Sequence, residues 1–245
     1  VTDFARIRAE NGYFVDRTGL IRELEKTSYA MFLRPRRFGK SLLCAILQAY
    51  YDIDYADRFD ELFGGLDIGR EPTGERGKYL FVDFNFSQVS KDFDQVQASF
   101  DDCCSERLDV FAERHAAQLP DGAAEAIRAK RTCHEKLNAL TAHLKGSGVK
   151  LYVCIDEYDN FTNTILAESR ENYEALCHGE GFFKQFFNEL KAATTGMNAP
   201  ITRMFITGVT PVTMDDVTSG FNIATNVSLN PAFAALTGFT HDDLR

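Results

Sequence analysis

Tryptophan is absent from this chain of 245 residues, whereas phenylalanine occurs 21 times. Large apolar surface is therefore buried by a side chain with no polar atom to satisfy. No run approaches the length of a membrane span, which argues against an integral membrane protein. The start, Val1-Thr2-Asp3-Phe4-Ala5-Arg6, lacks a signal-peptide pattern, so a cytoplasmic protein is expected. Paired cysteine spacing is missing too. Cys44, Cys103, Cys104, Cys133, Cys154 and Cys177 read as reduced, mostly structural thiols. Cys133-His134 with His143 has no partner pair and makes a poor metal site. Positive charge is scarce: 27 Lys and Arg stand against 36 Asp and Glu, a net charge of -9. That balance opposes broad binding to a nucleic-acid backbone.

The sign reverses at one place. Arg34-Pro35-Arg36-Arg37-Phe38-Gly39-Lys40-Ser41 carries four basic residues between Arg34 and Lys40, as an anion site requires. Tyr29–Leu33 before it reads as a strand. Leu42, Leu43, Ile46, Leu47 and Tyr50 after it recur on one helix face. Strand, Gly-Lys-Ser loop and helix in that order match a phosphate-binding loop, G-x-x-x-x-G-K-[ST]. Gly39 lets the backbone approach a phosphate. The amides around Gly39–Leu42 would face it from a helix N-terminus. Lys40 would reach the β- and γ-phosphates, with the Ser41 hydroxyl on Mg²⁺. Arg34 departs from the pattern, standing where the first glycine belongs. A basic turn before a buried helix is the plain alternative.

A second motif supplies what such a loop needs. Leu151–Ile155 is a continuous apolar run, typical of a strand buried on both faces of a parallel sheet, and it ends in Asp156-Glu157. Carboxylates there sit at the ligand crevice of an open α/β sheet. Asp156 would hold Mg²⁺ directly or through water, and Glu157 would polarise the attacking water. The alternative is a solvated acidic loop after a core strand.

With these motifs, Gly12–Ile21, Phe205–Thr210, Leu229-Asn230 and Leu236–Thr240 resemble the bacterial AAA-ATPase-like family over nearly the whole chain. Arg in place of the first glycine is characteristic of that family. The resemblance implies a P-loop NTPase three-layer α/β sandwich with a five-stranded, mainly parallel sheet. It implies ATP and Mg²⁺ as ligands. It also implies a single ATPase domain over 1–245, often followed by a nuclease-like effector domain of the PD-(D/E)XK type, as fused or separate partner. A polar residue after the fourth strand should contact the γ-phosphate or the water: Thr207, with Thr210 second. A capping role for that hydroxyl is equally open.

Elsewhere, Asp16–Lys26 reads as a first helix capped by Asp16 or Thr18. Tyr13-Phe14-Val15 before it is an extended segment suited to pack near adenine. Lys78–Phe84 is a second strand, and Gly64 to Gly77 a mobile surface loop. Residues 90–148 read as a helical insertion between strands 2 and 3, broken at Pro120-Asp121-Gly122 and suited to a partner. Phe182–Leu190 is an aromatic core helix, Arg203–Ile206 a fourth strand and Ala224–Ser228 an edge strand. Arg36 and Arg37 are close enough to reach phosphates in cis as an arginine finger. Arg37 alternatively pairs with Asp156 or Glu157, and a finger from another subunit stays open. The expected activity is Mg-dependent ATP hydrolysis that drives or gates an effector. A nucleotide-sensing module with little hydrolysis, or the ATPase part of a nucleic-acid processing protein, are the alternatives.

Overall fold

Four largely apolar runs become strands of one sheet because each alternates its side chains between two helical layers, and a two-residue polar segment adds an edge. The computed structural model describes residues 3–213 and 221–238. Its strands are β1 (Tyr29–Leu33), β2 (Leu80–Asn85), β3 (Leu151–Asp156), β4 (Ile201–Gly208) and β5 (Thr225–Asn226). They lie in the order β2-β3-β4-β1-β5, all parallel. β4 therefore sits between β1 and β3, the strands that lead into the two sequence motifs. All six residues of β3 are buried, which is why its sequence shows no polar alternation.

On one face Ala30, Phe32, Phe81, Tyr152, Cys154 and Phe205 pack with the helix Lys40–Tyr51 that follows β1. Around that face lie α1 (Phe4–Ala9), α2 (Ile21–Leu24), α3 (Lys40–Tyr51), α4 (Phe59–Phe63) and the turn α5 (Asp67–Arg70). On the other face Met31, Val82, Phe84, Val153, Ile155 and Ile206 meet the second layer. This layer holds α6 (Phe93–Arg114), α7 (Ala123–Arg128) and α8 (Cys133–Leu144), all between β2 and β3. It also holds α9 (Asn160–Glu168), α10 (Arg170–Cys177) and α11 (Phe182–Ala192). The result is a three-layer α/β sandwich of the P-loop NTPase type.

The phenylalanine bias has a physical account here. Phe86, Phe100, Phe161, Phe183 and Phe186 form one cluster between the sheet and the second layer. Phe100 meets Phe186 at 5.2 Å and 85°, and Phe161 meets Phe183 at 5.0 Å and 76°. Edge-to-face packing suits rings without polar tips.

Several expectations change. Asp16–Lys26 is not one helix: a 3₁₀ turn, Thr18–Leu20, precedes the four residues of α2. Asp16 Oδ1 accepts from the Thr18 amide and hydroxyl at 2.9 and 2.6 Å, and its Oδ2 accepts from the Asp67 amide at 2.7 Å. A tertiary contact thus overrides local helix propensity here. The same contact organises the stretch read as a loop between Gly64 and Gly77, where α5 buries Ile68 completely. The edge strand shrinks to β5 because the Leu33 amide donates to Ser228 Oγ at 2.8 Å instead of to a backbone carbonyl. α1, α9 and α10 were not foreseen. Phe239 and Thr240 of the late motif lie outside the described residues. No helix among the described residues is long and apolar enough to cross a membrane.

The far end of α3 is tied to α6. Arg114 donates to Asp52 Oδ2 and Asp54 Oδ2, both at 2.6 Å, beside the buried ring of His115. Arg114 stands where a cation would sit between the carboxylates, so these three residues form an ion-pair network. Burial outweighs Arg114 and pushes the Asp52 carboxyl up to about 7. Between the ordinary carboxylate pKa near 4 and about 7, the native state then holds a proton that the unfolded chain has released. This group's contribution to stability falls as pH rises through that window. Asp52→Asn removes the titration. The stability advantage of wild type over this variant should shrink by on the order of 2–3 kcal/mol from pH 5 to pH 8 in urea melts. A difference that stays flat would refute the shift.

Candidate functional site

The loop leaving β1 reaches α3 through Gly39, which caps the helix at φ 82°. A left-handed residue there is natural for glycine, and Arg37 adopts the same region at φ 67°. No side chain caps α3, so the amides of its first turn are available to an anion. Lys40 is buried, with Nζ donating to the Pro35 carbonyl at 3.1 Å across the loop.

Arg34, in place of the first glycine, has a structural task. Its guanidinium donates to the carbonyls of Leu33 (2.9 Å), Ser228 (2.8 Å) and Phe233 (3.4 Å) and lies 4.4 Å from the Phe32 ring centroid. Its amide donates to the Gly208 carbonyl at 3.2 Å. Side chain and backbone together fasten the loop to β4 and to the segment after β5.

The two sequence motifs meet. Ser41 Oγ donates to Asp156 Oδ2 at 2.6 Å. The Glu157 amide donates to the other oxygen at 2.9 Å, and Asn85 Nδ2 reaches Asp156 Oδ2 at 3.4 Å. Asp156 is only 4 % exposed, and burial raises its pKa against the opposing pull of Ser41, the Glu157 amide and Lys40. A buried carboxylate with hydroxyl and amide partners suits a hard cation. Two oxygens 2.6 Å apart also approach the spacing of about 2.9 Å between neighbouring ligands in an octahedral magnesium shell. Ser41 and Asp156 thus fit Mg²⁺.

Glu157 follows directly, in the left-handed region at φ 53°. It lines a cavity of about 160 Å³ with Arg36, Asp159, Asn160, Asn163 and Val209. Asp159 was missed by sequence reasoning, yet it organises this corner. Its carboxylate is 1 % exposed and accepts from the Val209 amide (3.1 Å), the Thr210 amide (2.7 Å) and Asn163 Nδ2 (2.8 Å). The Tyr158 hydroxyl donates to the Thr210 carbonyl. The turn after β3 and the turn after β4 are therefore stapled together.

Thr207 sits near the end of β4, between β1 and β3 as expected, with its hydroxyl engaged inside the sheet. Its buried hydroxyl donates to the Phe32 carbonyl at 2.7 Å, linking β4 to β1. Thr210 Oγ sits between Asp159 Oδ2 and Asn163 Oδ1, at 3.2 and 3.1 Å. Asn85 was also missed. Its signal, a polar residue ending an apolar strand, gains meaning only when β2 is known to lie beside β3.

On the other side of the loop, a cavity of about 200 Å³ opens against α3. Tyr13, Phe14 and Val15 line it with Leu42, Ile46 and Leu236, and Arg37, Phe38 and Gly39 form its loop side. An apolar slot beside a phosphate loop suits a planar base.

A family model described as "AAA-ATPase_like: Predicted AAA-ATPase" matches residues 1–218. The chain belongs to this predicted AAA-ATPase family. The "Uncharacterized protein in vnfD 5'region" of Azotobacter chroococcum mcd 1 is similar, 26% identical over 254 residues. That match covers 100% of this chain and 43% of the relative, so the chain spans less than half of the relative's length. No solved structure matches. Within this AAA-ATPase-like chain, the Arg-for-Gly replacement is thus accommodated by the contacts of Arg34.

Close approach at the end of β4 makes one prediction. A Cβ at Gly208 would come within 2.4 Å of Asp159 Oδ1 and 2.5 Å of Tyr158 Cδ1, whereas one at Gly74 meets nothing within 4 Å. Gly208→Ala should lower unfolding free energy by about 1–3 kcal/mol, as overpacking does. Gly74→Ala should leave it within about 0.5 kcal/mol. Equal urea midpoints for the two variants would refute the close packing.

Proposed function

We propose that this chain binds ATP with Mg²⁺ and hydrolyses it. The observation that carries the reading is the contact of Ser41 with Asp156, which brings the loop and the carboxylate strand to one point, with Glu157 the next residue. Bound Mg²⁺ would supply charge neutralisation at the β- and γ-phosphate oxygens. The chain's own groups do the rest. Amides at the start of α3 hold the β-phosphate, and Lys40 exchanges the Pro35 carbonyl for phosphate oxygens. Asp156 and Ser41 hold the cation, while the Glu157 carboxylate accepts the proton of the attacking water. The cavity beside Tyr13, Phe14 and Val15 takes the base, and its apolar lining favours adenine.

Since the similar Azotobacter protein is more than twice as long as the aligned region, we read this unit as one that drives or gates an effector. Turnover would change the contacts made by the turns after β3 and β4, the parts of the fold nearest the reacting phosphate.

Phosphate release with Mg²⁺ and ATP tests the reading, alongside binding of a fluorescent ATP analogue. Glu157→Gln should lose on the order of 10²–10³-fold in kcat while binding persists. Lys40→Ala should lose turnover together with most nucleotide affinity. Chelation by EDTA should stop hydrolysis. Tight binding without turnover in the wild type would overturn the enzyme and leave a nucleotide-sensing module. Unchanged affinity in Lys40→Ala would overturn the site itself.

A further inference from the structure

The loop contributes four cations, of which two are held by backbone carbonyls and a third faces the base-side cavity. Arg34 is bound to carbonyls of Leu33, Ser228 and Phe233. Arg37 lines the base-side cavity, and Lys40 belongs to the phosphate cradle. Arg36 alone among them lines the cavity that holds Glu157. It is exposed and makes no ion pair with a described residue. Its Nη2 instead reaches Asn160 Oδ1 at 3.5 Å, a neutral partner. Asn160 begins α9, and its own Nδ2 donates to the Ser87 carbonyl at 3.2 Å. A guanidinium is thus parked loosely on a fixed amide, beside the carboxylate expected to activate water.

We propose that Arg36 is a catalytic residue acting in cis. Its guanidinium stabilises the charge that develops on the γ-phosphoryl oxygens, so one copy of the chain carries a complete site. This rests on the ATP hydrolysis proposed above and names the residue that neutralises its transition state. In the step, the water oxygen bonds to the γ-phosphorus as the bond to the β–γ bridging oxygen breaks. The electron pair stays on that oxygen as ADP leaves, and the water proton passes to Glu157. No oxidant or further reactant is needed. Release from Asn160 loses one long hydrogen bond to a neutral acceptor, a small cost beside the charge-assisted bonds a phosphoryl group offers. Placing the positive charge near Glu157 before the reaction also lowers the reorganisation required during it.

The experiment compares wild type, Arg36→Ala and Arg36→Lys for ATP turnover, MgATP affinity and binding of MgADP with fluoroaluminate. Specific activity is followed over a hundredfold range of protein concentration. Arg36→Ala should lose on the order of 10³-fold in kcat with MgATP affinity changed less than about threefold. It should also lose the tight fluoroaluminate complex, which a merely structural change would not remove selectively. Lysine should restore part of the rate, since it returns the charge but not the planar fork. Wild-type specific activity should not depend on concentration. An active wild type with equally active Arg36→Ala overturns this assignment and leaves the ATPase standing. Rescue of Arg36→Ala by added Lys40→Ala chains would show an arginine passed between copies, and overturns the cis assignment. An inert wild type overturns both.

Discussion

The Asp156 carboxylate, buried at the tip of β3 and held by the Ser41 hydroxyl, is the constraint on which the rest of the molecule depends. A carboxylate nearly out of water is unstable unless donors or a cation compensate it. Here the donors come from three parts of the chain: Ser41 at the start of α3, the Glu157 amide, and more distantly Asn85 on β2. Those groups meet only if β2 lies beside β3 and α3 crosses the sheet in front of it. The strand order therefore serves this one point. Burial, set against the hydrogen bonds and Lys40, leaves the Asp156 pKa raised above the ordinary range. Such a group gains from a divalent cation more than an exposed carboxylate does, because the cation supplies compensation that the donors leave incomplete.

A second carboxylate, Asp159, explains how the same corner keeps its shape. Among the described residues no cation pairs with it, and it is satisfied chiefly by the amides of Val209 and Thr210 and by Asn163. Anions held by several backbone amides are well compensated without a cation. The arrangement requires the backbone at Gly208 to come so close that a methyl group has no room. Gly208 also accepts the Arg34 amide. The phosphate loop, the turn after β3 and the turn after β4 thus share one junction. The departure at Arg34 belongs to the same scheme. Lacking the first glycine, the loop is anchored by a side chain long enough to reach the segment after β5.

How much of this was legible in the sequence follows from the range of each interaction. β1 and β3 were readable because they are continuous apolar runs next to motifs with fixed chemistry. The core role of α11 was readable from its spacing of Phe183, Phe186 and Phe187. The family resemblance supplied the sheet and the sandwich, and the match over residues 1–218 agrees with it. What stayed hidden was set by contacts across tens to hundreds of residues. Asp16 is captured by Asp67, which divides the first helix into two turns. Ser228 takes the Leu33 amide and shortens the edge strand. Asp159 looks like one more acid in Asp-Glu-Tyr-Asp until the turn after β4 is folded over it. Thr207 shows the converse: the motif picked a residue whose strand position is right but whose hydroxyl is taken by Phe32.

Arg36 and Asp159 then divide the labour of the corner by exposure. Asp159 is buried and saturated with donors, so it can fix backbone positions but has little capacity left for chemistry. Arg36 is exposed, singly held at 3.5 Å and on a loop whose ends are both anchored, through Arg34 at one side and α3 at the other. An anchored loop with one loosely held cation is what a developing charge needs. On the proposed reading, the side chain would exchange only a neutral partner for the phosphoryl oxygens. A cation bound tightly to Glu157 would have neutralised the very carboxylate that must accept a proton. Asn160 holds Arg36 with an uncharged oxygen and so keeps the guanidinium beside the cavity without committing it to an ion pair with a described residue.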